Sequence, residues 1–290
     1  MDGIINVLKP PGMTSHDVVN VIRRLTNVRR TGHTGTLDPG AAGVLPVCVG
    51  KATRVSEYVL QMDKSYRAEL SLGRATDTED AAGKTTLEKP VPPLTTDYLA
   101  AVLQEFQGES SQTPPMYSAV KIGGKKLYEL ARQGQVIERE PRNITIYQIK
   151  LLDAYQQCVL FDVTCSRGTY VRTLCREIAE RLGTVGHMSF LLRTHVGPFH
   201  IHDAWTFEEL AAKQDEGRLQ EALLPLDTAI KHLSKIIVSE EWSVDVKNGK
   251  AIPLKAAGDD GQRVRLYDTS GNFLAIASID KEKIKPEKVF

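Results

Sequence analysis

The sequence predicts an α+β chain, and three stretches carry that reading. "CVLFDVTCSRGTYVRTLCREIAERLG" runs as an apolar strand of about eight residues, a turn at Gly168 and a helix ending at Gly183. "SYRAELSLG", from Ser65, alternates apolar and polar residues as a half-buried strand does. "VRLYDTSGNFLAIASI" sets two alternating runs around a Thr-Ser-Gly-Asn turn, the pattern of a hairpin in a small β domain.

The other elements follow in order. After the turn in "KPPGMTS", "SHDVVNVIRRL" places Val18, Ile22 and Leu25 at helical spacing behind a Ser15 or Thr14 cap. That helix delivers the chain to "RRTGHTGTLDPGAAGVL", residues 29–45, which is basic and rich in glycine. "RATDTEDAAGK" reads as a polar, solvated turn; Gly83 falls one place late for a calcium-binding EF-hand loop. "TTDYLAAVLQEFQG" puts Leu99, Val102, Leu103 and Phe106 on one helical face and closes at Gly108. "SSQTPPMYSAVKIGGKKLYELARQG" opens as a proline-stiffened loop and ends as a short helix stopped by Gly134. Its Lys121, Lys125, Lys126 and Arg132, interleaved with Tyr117 and Tyr128, suit a phosphate backbone and unstacked bases. A solvated loop with two packed tyrosines is the plainer alternative. The lysine-rich "KEKIKPEK" reads as a mobile end.

With 290 residues, 41% of them hydrophobic, the chain is long enough for one large core and a small second domain. A net charge of +1 leaves a polyanionic partner open, because Arg23, Arg24, Arg29 and Arg30 stand in one stretch without an acid. "MDGIINVLKPPGM" lacks the pattern of a secretion signal and no run reaches membrane-spanning length, so a cytoplasmic protein without a membrane partner is expected. Cys48, Cys158, Cys165 and Cys175 form no Cys-x-x-Cys pair and read as small buried residues. His195, His200 and His202 have no acid or cysteine at ligand spacing, so no metal is expected.

The glycine-rich stretch fails as a nucleotide-binding P-loop, since Leu45 stands where a glycine is required and Ala52 where a serine or threonine is. Asp38-Pro39-Gly40 is a good turn, and the carboxylate could cap its own backbone. A catalytic reading draws on its neighbours. Gly32, Gly35, Gly40 and Gly43 let backbone approach a bulky ligand, His33 and the threonines offer hydrogen bonds, and Arg29 and Arg30 can hold phosphates.

Six blocks in order over roughly the first two hundred residues resemble the TruB-type tRNA pseudouridine synthases. They are "LKPPGMTSHDVV", "GHTGTLDPGAAGVLP", "KSYRAEL" with "TDTEDAAG", "QTPPMYSAVKIGGKKLYELARQG", "CSRGTYVRTL" and "HMSFLLRT". The resemblance implies that Asp38 is the catalytic carboxylate and Arg172 its partner. It implies that Tyr66 stacks on the target uracil and assists proton removal at C5, that Tyr170 lines the base pocket, and that Leu191 closes the apolar side. His33 would receive extruded loop bases and Lys9 would be structural; from their charge and setting rather than from the resemblance, Arg29, Arg30, Lys121, Lys125, Lys126 and Arg132 are expected to touch RNA. Leu192 stands where many relatives carry a basic residue.

The same resemblance implies a mixed, mostly antiparallel central sheet with the cleft across its middle. It places a catalytic domain at residues 1–234, with an RNA-gripping insertion at about 108–142, and a PUA-like RNA-binding β domain at 235–290. The implied reaction turns uridine 55 of the tRNA T loop into pseudouridine by base flipping, glycosidic cleavage and C–C rejoining. No atoms enter or leave, so no cofactor is expected. The T stem-loop of tRNA would be the partner of a monomer working without a guide RNA. A non-catalytic RNA-binding module, with Asp38 as a turn residue, is the competing reading.

Overall fold

The computed structural model describes residues 1–253 and 259–290. β1 (Gly3–Lys9) is buried along nearly its whole length, which is why GIINVLK does not alternate. At the start of α1 (Ser15–Thr26) the Thr14 hydroxyl accepts from the Asp17 amide at 3.1 Å while the Asp17 carboxylate accepts from the Thr14 amide at 2.9 Å. This reciprocal cap fixes the helix start. Val18 and Ile22 are buried, Leu25 packs at the edge of their cluster, and Asn27 ends the helix at φ 52°. β2 (Thr31–His33) and β3 (Ala42–Val49) follow, separated by the glycine-rich loop.

A tight turn leads to α2 (Ser56–Leu60) and β4 (Lys64–Leu72), which alternates buried and half-buried residues from Tyr66 onward. β5 (Arg74–Thr76) and β6 (Thr85–Glu88) form a small hairpin before α3 (Thr96–Glu105) and β7 (Gly108–Gln112). The insertion folds as the hairpin of β8 (Lys121–Ile122) and β9 (Lys125–Lys126) with α4 (Leu127–Arg132), which Gly134 stops at φ 71°. Next come β10 (Arg142–Tyr155), β11 (Cys158–Cys165), α5 (Val171–Arg181), β12 (Gly186–Val196), β13 (Phe199–His200) and α6 (Phe207–Asp215). The last part contains β14 (Ser234–Ile237), α7 (Glu240–Lys247), β15 (Ile252–Pro253), β16 (Arg263–Tyr267), β17 (Phe273–Asp280) and β18 (Lys283–Val289).

The central sheet runs β1-β3-β12-β4-β11-β10-β7, with β2 beside β3 and β13 beside β12. Its ladders are antiparallel except where β3 meets β12, a parallel contact of two residue pairs, Leu192 with Ala42 and Arg193 with Gly43. The sheet is therefore mixed and mostly antiparallel. α3 and α5 cover one face, burying Leu103, Leu174 and Ile178 against Tyr66, Leu70, Phe161 and Leu191. α1 and α6 cover the β1–β3 end through Val18, Ile22 and Leu210. The second sheet runs β14-β16-β17-β18-β15 and encloses its own core of Val264, Leu266, Ala277 and Ile284. Cys48, Cys165 and Cys175 are buried, Cys158 is half-buried, and all four are free thiols. Among the described residues no helix is long and apolar enough to cross a membrane.

Two sequence readings are corrected. "KEKIKPEK" is not a mobile end: it forms most of β18, pairs antiparallel with β17 and buries Ile284. One apolar residue among lysines was too short a pattern to announce a strand, yet the ladder satisfies the backbone. "RATDTEDAAGK" is not a freely solvated turn either, because Glu79 accepts from Thr173 at 2.7 Å and from Arg176 at 2.8 Å. The acids that read as a surface run answer the arginines of α5.

Candidate active site

Residues 34–41, between β2 and β3, cannot close a ladder of their own, so their backbone groups need partners from elsewhere. Three side chains supply them. Ser15, at the start of α1, donates to the Leu37 carbonyl at 3.0 Å and accepts from the Leu37 amide at 2.9 Å. Lys9, at the end of β1, donates to the carbonyls of Pro39 at 3.2 Å and Ala41 at 2.7 Å, and to its neighbour Pro10 at 3.0 Å. Arg193, on β12, donates to Gly35 at 3.3 Å, Thr36 at 3.4 Å and Val44 at 2.8 Å. Asp38 thus stands on a loop whose backbone is held on both sides of it.

The Asp38 carboxylate meets Arg172 of α5, with Nε to Oδ2 at 3.0 Å and Nη2 to Oδ1 at 3.5 Å. Arg172 is 7% exposed at its side chain and Asp38 35%, so the arginine lies beneath and the acid faces the opening. The other guanidinium hydrogens reach the Thr78 carbonyl at 3.1 Å and the Tyr117 carbonyl at 2.8 Å, and the Asp80 carboxylate lies 3.8 Å away. Three segments far apart in sequence therefore orient one fork, which a lysine's single ammonium could not match.

Tyr66 on β4 is buried beside Leu37, Ala41 and Leu191, and stands opposite Arg193 in the β12–β4 ladder. Burial pushes its phenol up to about 12, against the pull of the Arg193 charge. His33 accepts from the Gly35 amide through Nδ1 at 3.3 Å; burial, and then the Arg193 charge, hold its imidazole below the usual range. Its ring proton therefore sits on Nε2. Tyr170 caps α5, its amide donating to Gln112 Oε1 at 2.8 Å and its carbonyl accepting from Gln112 Nε2 at 3.2 Å. That amide pair ties β7 to the helix carrying Arg172.

Asp38 and Arg172 are thus paired, Tyr66 and Leu191 share the core cluster that holds Leu37, Tyr170 stands two residues before Arg172 at the start of α5, and His33 lies on the adjoining strand. Arg29 and Arg30 are not in this group. Both are exposed beside the Val49 end of β3, and Arg30 donates to Thr53 at 2.7 Å. Asp38 adjoins the Ala42 end, roughly 25 Å off at about 3.4 Å per strand residue. Lys121 and Lys125 are exposed on the insertion hairpin, whereas Lys126 and Arg132 lie 5.4 and 5.5 Å from the Tyr128 ring centre. Sequence reading missed Asp80, the Tyr117 carbonyl, Ser15 and Arg193. Only Arg193 left a signal, a charge two residues from Leu191 and so on the same buried strand face. Among the described residues no cluster of three His, Cys, Asp or Glu side chains is arranged to hold a metal.

Three family models cover nearly the whole chain. Residues 23–171 match the TruB family pseudouridylate synthase N-terminal domain, 172–231 the tRNA pseudouridylate synthase B C-terminal domain, and 234–290 the pseudouridine synthase II TruB C-terminal domain. The chain is 47% identical to tRNA pseudouridine synthase B of Caldanaerobacter subterraneus subsp. tengcongensis, over 100% of this chain and 99% of that one. It is 53% identical to the protein of the same name from Alkaliphilus oremlandii, over 87% and 83% of the two chains. Among solved structures, a chain of a Cbf5-Nop10-Gar1 complex superposes with a TM-score of 0.78 at 31% identity, covering 99% of this chain and 84% of that one. A chain of an H/ACA RNP bound to a substrate RNA containing 2'-deoxyuridine superposes with a TM-score of 0.77 at 28% identity, with the same coverage. The chain therefore belongs to the TruB family of tRNA pseudouridine synthases, enzymes that isomerise uridine to pseudouridine.

Proposed function

We propose that this chain converts uridine 55 of the tRNA T loop to pseudouridine, with Asp38 as the catalytic carboxylate. The observation that carries the reading is the half-open acid Asp38, set on a pinned loop and gripped by a guanidinium that three other contacts hold in place. The isomerisation breaks the bond from N1 to the ribose, turns the ring and forms a new bond from C5. C5 loses a proton and N1 gains one, so the balance calls for no cofactor.

Asp38 faces the sugar and base as nucleophile or base. When the flipped nucleotide displaces water, Arg172 keeps the charged carboxylate favourable and fixes its direction. Extruding the base costs a few kcal/mol. Stacking on Tyr66, worth roughly 1–3 kcal/mol, offsets much of that. Leu191 and Tyr170 wall the base pocket, and His33 receives the neighbouring loop bases. The exposed lysines Lys121 and Lys125, with Lys126 and Arg132, grip the T stem-loop from the insertion at 108–142. Arg29 and Arg30 would meet RNA at a second place. Residues 1–234 act as the catalytic domain and 235–290 as a PUA-like RNA-binding domain. The protein works as a cytoplasmic monomer without a guide RNA.

The test is tritium release from tRNA transcript labelled at uridine C5, with purified protein and nothing added. Wild type should release label from the T loop alone, and Asp38→Asn should release none while binding tRNA as tightly. Binding by wild type without release would favour the non-catalytic module, and substantial release by Asp38→Asn would remove Asp38 from its role.

A further inference from the structure

Arg193 and Lys9 are the two bulkiest wholly buried side chains among the described residues. Buried cations are ordinarily matched by an anion, because desolvating a lone charge is costly. Arg193 has no carboxylate partner among the described residues: its hydrogen bonds go to the carbonyls of Gly35, Thr36 and Val44. A carbonyl orients a guanidinium but does not neutralise it. The site therefore contains, under the loop of Asp38, a fixed positive charge left without an opposite one.

What that charge faces follows from the ladder. Arg193 lies directly opposite Tyr66 across the antiparallel contact of β12 with β4. Paired residues project from the same face with Cβ atoms about 5 Å apart, well within the reach of an arginine and a phenol. Burial raises the Tyr66 phenol, and the charge of the guanidinium paired opposite it is the largest effect opposing that rise. Asp38 is already served by Arg172, whose fork is full. Its need for a cation is met without Arg193.

We propose that Arg193 is a positioning residue for Tyr66, an unneutralised guanidinium that fixes the phenol under the uracil and stabilises negative charge on its oxygen during proton transfer. The idea rests on the role given above to Tyr66. The phenol gives its proton to N1 and, as the phenolate, takes the one that C5 loses, so it is restored at the end of each turnover. Arg193 itself changes no bond. The carbonyls of Gly35, Thr36 and Val44 hold the guanidinium in place, so no reorganisation is needed when the charge develops.

The competing role is structural, since the same guanidinium also holds the loop before Asp38. A double-mutant cycle separates the two. Single-turnover tritium release and tRNA affinity would be measured for wild type, Arg193→Lys, Arg193→Gln, Tyr66→Phe and the double variant Arg193→Lys with Tyr66→Phe. The expected results are a loss of about 100-fold in Arg193→Gln, a smaller loss of about tenfold in Arg193→Lys, which keeps the charge, and tRNA affinity within about threefold of wild type in both. In the Tyr66→Phe background Arg193→Lys should cost less than about twofold more. Losses that multiply in the double variant would overturn the proposal, as would an Arg193→Gln enzyme of wild-type rate. Should Arg193→Gln not fold, the lysine arm of the cycle decides alone. Failure of wild type to release tritium from the T loop would instead refute the proposed function, which keeps the two failures distinct.

Discussion

The ammonium of Lys9 donates each of its three hydrogens to a backbone carbonyl, those of Pro10, Pro39 and Ala41. Lys9→Met removes that donor and leaves the Pro10 and Ala41 carbonyls unpaired, while Pro39 keeps the Gly12 amide at 2.8 Å. At about 1–3 kcal/mol for a buried unsatisfied group, a net loss of about 2 kcal/mol is expected, read from the urea midpoint. Turnover should fall with it while tRNA affinity holds, since the loop that aims Asp38 is loosened. A pH dependence follows as well. Burial brings Lys9 down from 10.5 to about 8. Between those values the unfolded chain holds a proton that the folded chain has released, so this group's contribution to stability rises with pH. The gap between wild type and Lys9→Met should widen from pH 8 to 10.5, and a gap that narrows would contradict the assignment. Legibility at this scale divided sharply. Asp38 and Arg172 stand in distinctive blocks and were named from sequence, whereas Asp80, Ser15 and the Tyr117 carbonyl act through contacts that no local pattern encodes.

At the junction of β3 with β12 the strands approach so closely that a Cβ on Gly43 would lie 2.2 Å from the Arg193 carbonyl oxygen, and Gly43 also holds φ at 115°. Overlap with backbone and a left-handed conformation cannot both be relieved by small shifts. Gly43→Ala should therefore cost more than about 3 kcal/mol and take activity with it, measured by thermal unfolding. Gly40 provides the contrast: a Cβ there meets nothing within 4 Å and its φ is not positive. Gly40→Ala should stay within about 0.5 kcal/mol of wild type, so that any loss of tRNA affinity reports space needed by RNA. The glycines that looked alike in sequence thus divide into one required by the sheet and one left open to a ligand. Among elements, the strand, turn and helix over 158–181 were readable because period, turn residue and apolar run agree locally. β18 was not, because its lysines face outward and its ladder partner is a separate strand.

The second sheet is fastened to the first through the last residues of the chain. Lys288 pairs with Glu57 and donates to the Arg54 carbonyl, Arg54 donates to the Val289 carbonyl, and its guanidinium lies 5.3 Å from the Phe290 ring centre. Phe290 packs against Phe273 at 4.9 Å, and Ile276 of β17 joins the cluster of Val55, Val59 and Phe199. Apolar contact is therefore continuous from the end of β3 into the C-terminal sheet, and the exposed ion pair adds little to it. Phe290→Ala should remove about 1–3 kcal/mol from this junction, because the ring is only partly buried. Neither core contains Phe290, so both sheets should survive while the angle between them becomes loose. If the C-terminal domain helps to hold tRNA, a loose junction forfeits part of the benefit of binding with two linked surfaces. The expected result is tRNA affinity weakened several-fold at physiological salt, with the single-turnover rate at saturating enzyme unchanged, because the Asp38 and Arg172 contacts do not pass through the junction. Filter binding and single-turnover tritium release on the same preparation measure the two quantities. Unchanged affinity would mean that the C-terminal sheet does not share in gripping the RNA, and a slowed rate at saturation would mean that its placement reaches the catalytic loop.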